Sequence, residues 1–76
     1  MNNKRRKQIS KVIEQIEESR DTITDILNEE QEALDNMPES LIDSERGEQS
    51  QNAIDLLDDA INNLEEAIEH LEEAQE

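Results

Sequence analysis

From residue 53 to its end the chain writes one heptad three times. Ala53-Ile54-Asp55-Leu56-Leu57-Asp58-Asp59 is followed by Ala60-Ile61-Asn62-Asn63-Leu64-Glu65-Glu66 and then Ala67-Ile68-Glu69-His70-Leu71-Glu72-Glu73, with Ala74 opening a fourth. On a helix, a strict seven-residue repeat gathers Ile54, Ile61 and Ile68 (position a) and Leu57, Leu64 and Leu71 (position d) into one stripe, with Ala53, Ala60, Ala67 and Ala74 beside it at position g. The other positions are almost all acid or amide. Such a stripe is only marginally helical alone in water and needs a second apolar surface to cover it.

A second stripe lies upstream. Ile9, Val12, Ile13, Ile16, Ile23, Ile26, Leu27, Leu34 and Met37 recur at steps of three and four and predict a helix over about residues 3–36. This stripe has two faults: Ser19 and Arg20 in its middle, and Glu30 one heptad after Ile23. Each forgoes burial of an aliphatic side chain, worth about 1.5–3 kcal/mol. Pro38 ends the helix, because the residue before a proline is pushed out of the α region. Leu41 and Ile42, in a connector over about residues 37–43, are expected to cap the open end of the core. Ser44 reads as the N-cap of a second helix over about residues 44–75. Gly47 has two readings: a break, with the helix restarting at Ser50 or Asn52, or the a position one heptad before Ile54. The second is favoured, because it makes both helices about 32 residues, or about 48 Å, long.

Equal helices joined by a short connector predict an all-α fold, an antiparallel two-helix hairpin of coiled-coil type that makes residues 1–76 one domain. Folding the chain about residue 40 sets Ile9 against Leu71, Ile13 against Ala67, Ile16 against Leu64, Ile23 against Leu57 and Leu27 against Ala53. The same register sets Arg20 against Ala60 and Glu30 against Ser50, so the faults meet small residues. The seam is then Ile9, Ile13, Ile16, Ile23, Leu27, Ile54, Leu57, Ile61, Leu64, Ile68 and Leu71. Leu56 and the adjacent pairs Val12-Ile13 and Ile26-Leu27 make the stripes wider than one two-helix contact covers, which predicts a homodimer, two hairpins packed as a four-helix bundle.

Charge sharpens the picture. The net charge of −15 is uneven: Lys4, Arg5, Arg6, Lys7 and Lys11 place +5 in the first eleven residues, and all 22 acids follow with only Arg20 and Arg46 among them. The antiparallel register lays the basic start beside Glu65, Glu66, Glu69, Glu72, Glu73 and Glu76. No apolar run of about 7–15 residues follows the basic start, and none approaches a membrane span, so no signal peptide or membrane contact is expected and a cytoplasmic location is the default. With 38% charged residues and no aromatics, composition alone would allow a disordered segment that folds on its partner. Helical register of nearly every apolar residue argues instead for an autonomous hairpin.

Chemistry is constrained by what is missing. There is no Cys, one Gly and one His, and no nucleophile-base pair, glycine-rich phosphate loop or metal-ligand cluster is visible, so a non-enzyme without catalytic residues, metal or cofactor is expected. His70, between Glu66 and Glu73, falls at position c on the outer face and reads as a solvated histidine. The cluster Lys4–Lys7 has no aromatic for base stacking and belongs to an anionic chain, which argues against direct nucleic-acid binding. The acidic face remains: Asp55, Asp58, Asp59, Glu65, Glu66, Glu69, Glu72 and Glu73. Its plain reading is solubility. Its functional reading is a partner surface for a basic groove: carboxylate pairs recur about every 10.5 Å, and the rod carries one net charge per about 3 Å against one per about 1.7 Å in duplex DNA. A rival reading makes the hairpin a structural adaptor that works through its apolar seam.

The run Asn36-Met37-Pro38-Glu39-Ser40-Leu41, followed by Ser44-Glu45-Arg46-Gly47-Glu48 and the Ala-Ile-x-x-Leu-Glu-Glu repeats, resembles small acidic two-helix proteins carried by phages and mobile elements of Gram-positive bacteria. The resemblance implies a context, an inhibitor or modulator of a host protein in the host cytoplasm. Such targets include defence nucleases whose DNA-binding grooves a mimic can block. It implies no role for any single residue.

Overall fold

The structure, a computed structural model, describes residues 1–76. It is all-helical: α1 spans Asn3–Asp35, α2 is a single turn over Glu39–Ile42, and α3 spans Glu45–Ala74. α1 and α3 pack side by side as an extended hairpin of 58 × 15 × 12 Å, measured over Cα atoms.

α1 begins where the Asn2 side-chain oxygen accepts the Arg5 N–H at 2.9 Å, satisfying one of the donors that a helix start leaves free. It then runs 33 residues with no Gly or Pro to interrupt it. The Asn36 N–H still reaches the Glu32 carbonyl at 3.1 Å, and the chain then turns extended at Pro38 (φ −59°, ψ 147°). The connector is more regular than its sequence suggests. The Leu41 and Ile42 N–H groups both donate to the Pro38 carbonyl and wind residues 39–42 into α2.

Gly47 lies inside α3 and is buried. A Cβ at this position would fall on the Ile42 carbonyl group and 2.7 Å from the Leu41 oxygen. Backbone packs against backbone here, which is why the bend tolerates no side chain. Ser44 stands at the N-cap of α3 with extended dihedrals, yet its hydroxyl donates back to the Leu41 carbonyl and caps nothing in α3. The last carbonyls of a one-turn helix have no partner in their own helix, and the hydroxyl serves one of them. Glu45 and Glu48 in the first turn of α3 complement its dipole instead.

The register is antiparallel, and polar contacts mark it at both ends. Near the bend the Ser50 hydroxyl donates to the Glu30 carboxylate at 2.7 Å; at the open end the Arg6 Nε donates to the Gln75 carbonyl at 2.8 Å and the Gln75 amide returns a bond to the Arg6 carbonyl at 3.0 Å. The fault at Glu30 is thus answered by Ser50, which is buried. The expected pairing of the basic start with the acids of α3 does not form. The one ion pair within 4 Å joins Arg20 to its neighbour Asp21 at 3.3 Å. Lys4, Arg5, Lys7 and Lys11 are exposed, and holding such long side chains in exposed pairs gains at most about 1 kcal/mol.

The core of one hairpin is thin. Ile13, Leu34, Ile54 and Ile68 are its only buried apolar side chains, and none is fully sealed from solvent. Leu41 and Ile42, expected to cap the core at the bend, are 36% and 39% exposed there.

Candidate functional site

Of the seam residues read from the sequence, Ile13, Ile54 and Ile68 are buried, while Ile9, Ile16, Ile23, Leu27, Leu57, Ile61, Leu64 and Leu71 are half-buried. Leu34 belongs with them. It lies one heptad after Leu27 and is buried, and its spacing is the signal that places it.

Exposure then shows which flank of each stripe faces inward. In α3 the alanines 53, 60 and 67 are half-buried, whereas Gln51, Asp58, Glu65 and Glu72 on the other flank are exposed. In α1 the inward flank is Glu17, Thr24 and Gln31, and the exposed flank is Val12, Ser19, Ile26 and Ala33. The Gln75 amide also donates to the Ser10 hydroxyl. Ser10 continues the Glu17-Thr24-Gln31 row and Gln75 continues the Ile54-Ile61-Ile68 row, so these two rows lie together on one side of the hairpin. The Val12 row and the alanine row therefore share the opposite side.

The hairpin thus has two unlike faces. One is built from the rows of Ile9, Val12, Ala53 and Leu56. It exposes Val12 (42%), Ile26 (47%) and Leu56 (60%) between half-buried isoleucines and alanines. Glu30, bonded to Ser50, is the one acid of the 22 on it. The other face, both edges and the bend carry the remaining acids. All eight candidate carboxylates, Asp55, Asp58, Asp59, Glu65, Glu66, Glu69, Glu72 and Glu73, are exposed there. None of the eight has a basic group within 4 Å, and only Asp55 is engaged by a side chain, the Gln51 amide at 3.1 Å.

No protein-family model, curated protein or solved structure matches this chain. The structure holds one shallow hollow, lined by Glu18, Ser19, Thr22 and Ile23 on the flank of α1, where Ser19 interrupts the apolar row. No group of three or more His, Cys, Asp or Glu comes together in a way that could hold a metal ion, and His70 is exposed. No helix is long and apolar enough to cross a membrane.

Proposed function

We propose that this protein is a non-enzymatic binding module that presents its carboxylates to a basic, nucleic-acid-handling site on another protein. The observation that carries this reading is the state of the acids: 20 of the 22 are exposed, and Asp21 alone has a basic partner within 4 Å. Carboxylates left unpaired on a rigid helical scaffold are preorganised to accept Arg and Lys as charge-assisted hydrogen bonds. The resemblance to small acidic phage proteins fits the same reading, an inhibitor that occupies a host protein's groove by DNA mimicry inside the host cytoplasm.

Self-association into a four-helix bundle belongs to this reading, because four buried apolar side chains are a slender core for 76 residues. It also raises the charge density. One hairpin spreads −15 over 58 Å, about one net charge per 4 Å, and a side-by-side dimer brings this to about one per 2 Å, near the 1.7 Å of duplex DNA. A second reading, a structural or adaptor hairpin acting through apolar surface alone, is favoured by the exposure of Val12, Ile26 and Leu56.

The test replaces Glu65, Glu66, Glu72 and Glu73 together by Gln. Helix content is expected to stay unchanged while the variant loses capture of a basic protein from a Gram-positive cell lysate. Capture by the wild type should elute early in a salt gradient and be displaced by duplex DNA, since each buried carboxylate contact is worth about 1.5–3 kcal/mol and is screened by salt. Capture that survives the four Gln changes and ~0.5 M salt, at which surface charges are strongly screened, would favour the adaptor.

A further inference from the structure

We infer that the face on which Glu30 is the one acid is the docking surface for a second copy of this chain, and that the two hairpins lie head to tail, the open end of each beside the bend of the other. The inference rests on the self-association proposed above and adds its surface and orientation. The face extends the length of a rod 58 Å long and 15 Å wide, comparable to the ~800 Å² per partner of a standard protein interface.

Charge selects the orientation. Residues 21–59, the half of the hairpin at the bend, hold 13 acids and one base, whereas residues 1–20 and 60–76 hold nine acids and six bases. Docking bend on bend would stack two strongly anionic halves, and docking head to tail sets each against the nearly balanced end of its neighbour. The few charges on the face agree. Arg5 and Arg46 sit at its two ends. Turning one copy about an axis through Ser19 brings Arg5 beside Ala33 of the second copy, one turn from Glu29 and Glu30. Arg46 comes beside Ala74 and Glu73 of the second copy.

Shape selects the same axis. Along the exposed row of α1, Val12 and Ile26 stand one heptad on either side of Ser19, so the half turn places Val12 on Ile26 of the second copy and Ser19 on Ser19. Along α3 it places Ala60 on Ala60 and Ala53 on Ala67. Small residues thus occupy both crossing points, where α1 meets α1 and α3 meets α3, and let the backbones approach closely. The break in the apolar stripe at Ser19 acquires a reason here: it marks the two-fold axis.

The chain has no cysteine, so single thiols report the arrangement directly. Sedimentation equilibrium of the wild type first establishes the dimer. Ser19→Cys, kept at the same concentration in oxidised glutathione, is then expected to link into disulfide dimers with at least tenfold higher yield than Asp25→Cys on the acidic side, because a disulfide requires Cα atoms within about 7 Å. Ile26→Lys should weaken dimerisation at least tenfold without loss of helix. A wild-type dimer in which Ser19→Cys links no better than Asp25→Cys overturns the head-to-tail docking and leaves self-association standing. The same holds if a mixture of Val12→Cys and Ala67→Cys links instead, as bend-on-bend packing requires. A strict monomer overturns both.

Discussion

At the scale of single residues, two positions carry more of the fold than their size suggests. A glycine within a helix ordinarily costs about 0.5–1 kcal/mol relative to alanine. At Gly47 the sign reverses, since a Cβ would strike the Ile42 carbonyl. Gly47→Ala is therefore expected to destabilise by about 1–3 kcal/mol, as other overpacked sites do. A melting temperature that rises on this substitution would show that the bend does not press on α3. Ser50 is the second position. Its hydroxyl is the hydrogen-bond partner of the half-buried Glu30 carboxylate. Ser50→Ala should cost about 1 kcal/mol, at the low end for an orphaned polar group because Glu30 keeps some contact with water. Ser50→Ala combined with Glu30→Leu should recover that loss or exceed it, which denaturant titration of the single and double variants measures.

At the scale of elements, much of the hairpin is legible from the sequence, and what is not has a common cause. Heptad spacing places the apolar stripes of α1 and α3, Pro38 marks the end of α1, and the antiparallel register that sets Glu30 against Ser50 is present in the structure. Spacing along the axis is a one-dimensional signal and does not report rotation about it. The seam residues Ile13 and Leu27 are legible from spacing, but α1 has the polar Glu17, Thr24 and Gln31 on one flank of that seam and Val12, Ile26 and Ala33 on the other, and packing turns the polar flank inward and leaves the more apolar one exposed. The charge match between the ends fails for the same reason. Lys4, Lys7 and Lys11 are exposed and form no ion pair with α3. What ties the open end is hydrogen bonding between Arg6 and Gln75 together with the Asn2 cap, which charge patterns do not announce. Deleting residues 1–7 removes both and takes the net charge from −15 to −19. The melting temperature of the truncated chain should fall by several degrees, at about 4–8 °C per kcal/mol for a domain of this size. An unchanged melting curve would mean that the first turns of α1 contribute nothing.

At the scale of the whole molecule, the chain segregates its charge. An acidic surface surrounds one face that carries a single acid; we propose a basic groove as partner for the first and a second copy of the chain for the second. Because net charge opposes both folding and pairing, raising NaCl from ~20 mM to ~0.5 M should raise the melting temperature and tighten the dimer, while weakening capture of a basic partner. Opposite responses to salt from one protein are the signature of two surfaces with separate tasks. Sedimentation equilibrium on three proteins tests this division most directly: the wild type, the variant with Glu65, Glu66, Glu72 and Glu73 changed to Gln, and the double variant Ile26→Lys with Leu56→Lys. The wild type and the Gln variant are predicted to run as dimers of about 17.6 kDa, twice the 8.8 kDa chain, and the Lys variant as an 8.8 kDa helical monomer. A Lys variant that stays dimeric, or a Gln variant that dissociates, would contradict the account.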